Sequence, residues 1–265
     1  MSARPFPPLV SVARRKMRSA TYRLKWTLLS EWLRLPAVKI DAVTSVPRSE
    51  ICEPVMDDVC MPPFSGMPHD DLGTVLRIAK SLRPKVICEI GTAHGNLTAN
   101  LLRNCPDATM VTVNAPTHLQ SGNLVTYKLT EHEIGRVYRK YGYEDRVIQL
   151  LVNSLELDLK KSLKSDLIDL AIIDGCHDTD FVLNDFRKMR EFVRPGGVVL
   201  LHDTHPSQEG HLAGSYRACL LLRREGFDMR WIQDTWWGYW RQDANRMTSP
   251  TGTFRSDSPR EGKNT

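Results

Sequence analysis

The chain has 265 residues, 41% of them hydrophobic and 25% charged, with a net charge of +5 at pH 7. That length encloses one α/β core with appendages, and the composition excludes a disordered or fibrous chain. No apolar run approaches the ~20 residues of a membrane-spanning helix, and six scattered cysteines without CxxC spacing argue against a zinc cluster and for a reduced, cytoplasmic protein.

Taken in chain order, residues 1–40 hold nine basic side chains against the single acid Glu31, a local +8 that leaves −3 for the remainder. Three prolines make residues 1–12 irregular. Leu24, Leu28, Trp32 and Leu35 then recur at helical spacing, which predicts a basic helix from Arg14 to Leu35 ended by Pro36. This helical extension, residues 1–40, has three open roles. It covers the main domain, joins copies into a homo-oligomer, or makes peripheral contact with an anionic membrane through Trp26 and Trp32 among basic residues. An acid-poor organellar transit peptide is a further reading, while a nucleic-acid arm is disfavoured by the acidic body. Residues 41–68 carry Pro47, Pro54, Pro62, Pro63 and Pro68 and read as a connector.

The main domain is expected over residues 69–242. A helix from Asp70 to Leu82 leads into an apolar strand, Val86–Ile90, then a glycine-rich turn and a helix over Leu97 to Leu102. Strands follow at Ala108–Asn114, Arg146–Val152, Leu167–Asp174 and Val198–His202. Helical stretches lie at Thr130–Tyr141, Phe181–Val193 and Gly214–Arg224. Met229–Asp234 and Trp236–Arg241 read as a closing antiparallel pair. Alternating strands and helices predict a doubly wound, Rossmann-like α/β sheet, mainly parallel, with an antiparallel C-terminal strand and an N-terminal helical extension. The polar tail, residues 243–265, is expected to be disordered.

Ligands of such sheets bind beyond the carboxyl ends of the strands. All five ends are polar here: Glu89 with its glycine turn, Asn114, Asn153-Ser154, Asp174-Gly175-Cys176-His177, and His202-Asp203-Thr204-His205. The turn fits the dinucleotide fingerprint poorly, because Ala93 and Asn96 hold two of its three glycine positions. An acid two residues before the first glycine repels a pyrophosphate and suits a cationic ligand. Each residue also has a plainer reading. Glu89 caps the next helix, Gly91 and Gly95 are turn glycines, Ser154 is an N-cap, and His177 is a loop histidine. Trp231, Trp236, Trp237, Tyr239 and Trp240 are mainly sheet packing, with one or two rings left to line an acceptor pocket.

The pattern Glu89-x-Gly91-x-Ala93-x-Gly95 resembles the first motif of class I S-adenosylmethionine-dependent methyltransferases. Ile172-Ile173-Asp174-Gly175-Cys176-His177, followed by Arg194-Pro195-Gly196-Gly197 and His202-Asp203-Thr204, looks like a branch of small-molecule O-methyltransferases. Macrolide-sugar O-methyltransferases and cephalosporin-hydroxylase-like proteins are similar to it, and the residues around Glu133–Tyr138 fit the same branch. The resemblance covers most of residues 69–242. It implies S-adenosylmethionine held by Glu89, Gly91, Thr92, Ala93, Gly95, Asn96, Asn114, Asn153 and Ser154. It implies a divalent cation, Mg or Mn, on Asp174, His202 and Asp203, and His177 beside Asp174 as general base, with His205 second. Two departures stand out. Asn114 replaces an acid that grips both ribose hydroxyls, and His202 replaces an acid, which shifts a hard site toward borderline metals.

The implied activity is O-methylation of a hydroxyl on a small molecule or sugar. The alternatives are a metal-dependent oxygenase-like enzyme on the same fold, and a non-catalytic methyltransferase-like binding protein docking through the basic helix.

Overall fold

The computed structural model describes residues 34–55, 70–120, 128–163, 167–207 and 213–244. The predicted helix from Arg14 and the polar tail therefore lie outside the described residues, except residues 34–35 and 243–244. Eight strands form one sheet: β1 (Ala37–Val38), β2 (Val86–Ile90), β3 (Thr109–Asn114), β4 (Val147–Leu151), β5 (Ile168–Ile173), β6 (Val193–Leu201), β7 (Arg230–Ile232) and β8 (Gly238–Arg241). Their order is β1-β7-β8-β6-β5-β2-β3-β4. β8 runs antiparallel to both β6 and β7, and every other pairing is parallel. The expected doubly wound sheet is present, with its order reversing between β2 and β5.

The central strands read as unbroken apolar runs because both faces are covered. On one face Ile87, Met110, Leu170, Ile172, Val198 and Leu200 meet Val75, Leu76, Ile78 and Ala79 of α2 (Asp71–Leu82) and Leu101 and Leu102 of α3 (Asn96–Asn104). On the other, Cys88, Val111, Val113, Ala171, Ile173, Val199 and Leu201 meet α6 (Thr179–Arg190) and α7 (Ala213–Arg224) through Val182, Phe186, Met189, Ala218 and Leu222. The short helices α1 (Ile40–Val43), α4 (Arg136–Lys140) and α5 (Leu159–Leu163) complete the chain. Among the described residues no helix is long and apolar enough to cross a membrane.

Three elements differ from their predicted form. Ala37–Val38, expected in the helical extension, pairs in parallel with Trp231 and Ile232 and forms the sheet edge. Only the last part of Thr130–Tyr141 is α-helix, because Gly135 takes a left-handed φ of 72° and α4 begins after it. The fifth predicted strand starts earlier, at Val193. Ile168 pairs with Val193 while Leu170 pairs with Val198, so Arg194-Pro195-Gly196-Gly197 bulge out of one continuous strand. Gly196 supplies the positive φ of that bulge, 77°. The closing antiparallel pair is present as β7 and β8, with Trp237 and Trp240 buried in opposite faces of the core.

Candidate active site

A cavity opens at the carboxyl edge of the sheet, where the strand order reverses. Its walls come from the turn after β2 (Gly91, Ala93), the end of β3 (Asn114), the segment after β4 (Asn153, Ser154) and the segment after β5 (Asp174, His177). Val113, Leu119, Leu129, Val152 and Phe181 line it with apolar surface. This is the position that the topology of an open α/β sheet assigns to a ligand.

The glycine turn is held from several sides. Gly91 and Thr92 donate backbone N–H bonds to Val113 O at 2.8 and 3.2 Å, and Ala93 donates to Asn114 Oδ1 at 3.1 Å. Gly91 has φ 112°, and a methyl group there runs into the carbonyl oxygen of Asp174. Gly95 has φ 81°, and a methyl group there meets the ring of Tyr138. Both glycines are thus required first by packing of the protein against itself. The contact at Gly91 also seats the turn directly on the residue that begins the acidic end of β5. Ala93 holds a left-handed φ of 45° without being glycine, local strain worth about 1 kcal/mol.

Glu89 is placed differently from the expectation of an acid facing the ligand. Its side chain is wholly buried beneath the turn and is absent from the cavity wall. Oε2 accepts bonds from the Thr98 hydroxyl at 2.6 Å and from the Thr112 hydroxyl, while Oε1 has no hydrogen-bond partner among the described residues. Burial pushes its pKa up to about 7 against the pull of those two bonds, with Asp174 adding a repulsion. Its attraction for a cationic ligand is correspondingly weaker at neutral pH than a free carboxylate's. Thr92, Gly95 and Asn96 also lie outside the lining, whereas Gly91, Ala93, Asn114, Asn153 and Ser154 belong to it. Asn153 is the N-cap after β4, accepting from Leu155 N at 3.1 Å, and Ser154 is the buried first residue of the turn it caps. Asn114 has its amide engaged at both ends, accepting from Ala93 N and donating to Ala115 O at 3.0 Å.

The acidic and imidazole groups come together as β5 and β6 lie side by side. His202 Nδ1 is 3.2 Å from Asp174 Oδ1 and 3.6 Å from Asp203 Oδ2. His177 Nε2 is 3.3 Å from Asp203 Oδ2. Ligand atoms of Asp174, His177 and Asp203 all lie within 4.8 Å of one another, close enough for one ion. The groups expected to hold a metal and the group expected to act as base therefore share one cluster. His205 does not join it. That ring bonds Ser207 Oγ at 2.6 Å and packs against Trp231 and Trp236 at 5.1 and 5.6 Å.

One member went unnoticed in the sequence. Asp71, in the first turn of α2, brings its Oδ2 to 3.9 Å from His202 Nε2, accepts from Trp236 N at 2.9 Å, and its backbone carbonyl accepts from Trp237 Nε1. Asp70-Asp71 read only as a helix start, and Asp70 does cap α2 through Gly73 N. Burial opposes charge on His202, but Asp174, Asp203 and Asp71 outweigh it and hold the ring protonated well above the usual imidazole range. The imidazolium then offsets part of the negative charge at the end of β5 and β6.

A glycine turn after the first central strand, a cavity at the switch point and an acidic cluster one strand over thus lie together at one edge of a doubly wound sheet. Residues 88–204 match the family model described as a methyltransferase domain. Among solved structures, a candidate caffeoyl-CoA O-methyltransferase from Staphylococcus aureus superposes with TM-score 0.50 at 14% identity, over 86% of this chain and 98% of that one. The cofactor-bound protein Rv0187 from MTB gives 0.48 at 16% identity, over 92% and 100%. An O-methyltransferase family protein from Burkholderia thailandensis gives 0.46 at 13% identity, over 65% of this chain but only 56% of that chain. At 14% identity the likeness to the Staphylococcus aureus structure is one of fold. No curated protein sequence matches the chain.

Proposed function

We propose that the protein transfers a methyl group from S-adenosylmethionine to a hydroxyl of a small molecule or sugar met in the cytoplasm. One observation carries this reading: a single cavity joins the glycine turn at Gly91 and Ala93 to Asp174 and His177. The lining suits the cofactor. Apolar walls at Leu119, Val152 and Phe181 would accept a purine, Asn114, Asn153 and Ser154 would offer polar atoms to ribose and adenine edges, and Asp174 on the same wall would suit the cationic end. Bound cofactor supplies an electrophilic methyl on a sulfonium.

The chain's own groups do the rest. A hydroxyl is a poor nucleophile until its proton is removed during attack. With the Nε2 proton of neutral His177 directed at Asp203, Nδ1 becomes the proton-accepting atom, and Asp203 fixes the ring's orientation. Positioning against the turn and the fixed charges of Asp174 and His202 supply the remaining rate enhancement.

A divalent cation fits the same cluster, since Asp174, His177 and Asp203 converge within ligating reach and His202 flanks both carboxylates. Such an ion lowers the pKa of a bound hydroxyl, and an imidazole among its donors favours Mn or another borderline metal over Mg. In that state His177 is a ligand, no longer the base. Calorimetry with S-adenosylhomocysteine after chelation, and again with added Mg or Mn, tests both parts. Binding, with mass-spectrometric gain of one methylene on a hydroxylated acceptor, is the expected result. Turnover that survives chelation keeps His177 as base, and turnover restored only by Mn assigns it to the metal. Absence of cofactor binding under every condition overturns the reading and leaves the His/dicarboxylate cluster to oxygen chemistry.

A further inference from the structure

We propose that Tyr138 and Gln149 are positioning residues for the cofactor turn, acting through a one-way thread of hydrogen bonds that ends on Glu89; the proposal rests on the cofactor reading above. Tyr138 Oη donates to Gln149 Oε1 at 3.2 Å, and Gln149 Nε2 donates to Thr92 Oγ1 at 3.0 Å. Thr92 Oγ1 lies 2.7 Å from Thr112 Oγ1, and the hydroxyls of Thr112 and Thr98 both donate to Glu89 Oε2. The bond between the two threonines has either polarity in isolation, but its neighbours decide it. An amide NH2 only donates and the Glu89 oxygen accepts, so Thr92 receives from Gln149 and passes its own proton to Thr112. Every link then points the same way, and aligned buried bonds reinforce one another.

The links come from six places: α4, β4, the turn, β3, β2 and α3. Thr92 sits between Gly91 and Ala93, the two turn residues on the cavity wall. The chain around α4 grips the same turn through its backbone, with Gly135 N donating to Ala93 O and Val137 N to His94 O, both at 2.9 Å. The segment around α4 thus holds the cofactor turn in shape from the side away from β5. Gln149 is the polar side chain that the edge strand β4 (sequence VIQLL) contributes to this hold.

Gln149→Glu tests the direction of the thread, because it preserves shape while replacing the donor by an acceptor. The readout is affinity of the full chain for S-adenosylhomocysteine by calorimetry from pH 5.5 to 8.5, with melting temperature and kcat at saturating cofactor. Affinity about tenfold weaker at pH 8.5 is expected, recovering as the introduced carboxyl gains a proton and can donate again, with kcat held within about twofold. Tyr138→Phe is expected to lose about threefold without recovery at low pH. The titratable and charged groups around the thread are Glu89 across the threonines and Tyr138 itself with Arg139 and Glu144 beside it, so the natural protein and Gln149→Leu are profiled in parallel. Unchanged affinity of Gln149→Glu at pH 8.5, or an equal loss at both ends of the pH range together with a lower melting temperature, overturns the thread. Failure of the natural protein itself to bind overturns the cofactor reading and the thread with it.

Discussion

Strand β5 carries one carboxylate near its start and another just beyond its end, and their surroundings could hardly differ more. Asp169 is buried with its oxygens fully engaged. Oδ2 accepts from Lys85 N at 2.7 Å and Val86 N at 2.9 Å, and Oδ1 pairs with Arg194 beside the β6 bulge. Asp174 is a third exposed, faces the cavity, and shares its neighbourhood with Asp203, His177 and His202. The first carboxylate locks β2, β5 and β6 together at the amino edge of the sheet. The second stands among groups whose charge is only partly balanced, at the edge where ligands bind. Position along a strand, more than residue type, decides whether an acid supports the fold or serves a reaction.

The largest test of that contrast is Asp169→Ala, which leaves two backbone donors and a guanidinium without their partner. Urea unfolding is expected to show a loss of about 3–5 kcal/mol. Asp174→Asn is expected to stay within about 1 kcal/mol of the natural stability. In the opposite column, His177→Ala is expected to slow the proposed methyl transfer about 10²–10⁴-fold at saturating substrates with little change in unfolding, since it removes the proposed proton acceptor without opening the core. Near-normal turnover there would dissolve the distinction drawn between the two edges.

Glu89 lies between these extremes: buried like Asp169, yet with one oxygen unbonded among the described residues. Its folded pKa of about 7 stands above the ordinary 4.5, so between those values the folded chain holds a proton that the unfolded chain releases. Stability therefore falls as pH rises through that window, by on the order of 3 kcal/mol. Glu89→Gln should flatten this decline in melts taken at pH 5 and pH 7.5, and an unaltered slope would show the group to be ionised throughout. The smallest expected effect is at Asn114. Asn114→Asp keeps the acceptor for Ala93 N and adds charge toward ribose hydroxyls, so cofactor binding should tighten about threefold by calorimetry.

What the sequence disclosed follows from how each feature is written in it. Val86–Ile90, Ile168–Ile173 and the Val198–Leu201 part of β6 are buried on both faces and spell apolar runs, so these strands, their polar ends and the glycine turn were readable. The same double burial hid the direction of Glu89, since a strand without alternation does not say which face a side chain takes. Ala37–Val38 is too short to carry any period, and Arg194-Pro195-Gly196-Gly197 reads as a turn although the strand runs through it. Asp71 is separated from His202 by more than a hundred residues and looks like any acid in a first helical turn. Asp174, His202 and Asp203 were recognised as one set, but the approach of His177 to Asp203 depends on the loop after β5, whose conformation no pattern encodes.

The place of β8 has a consequence for biosynthesis. Gly238–Arg241 is inserted between β6 and β7, and β1 reaches the sheet only through β7. A nascent chain emerging from the ribosome can assemble β2 to β6 early, but it holds Ala37–Val38 without a berth until residue 241 has cleared the exit tunnel. The amino-terminal edge is thus fastened last, by a piece synthesised some two hundred residues after it.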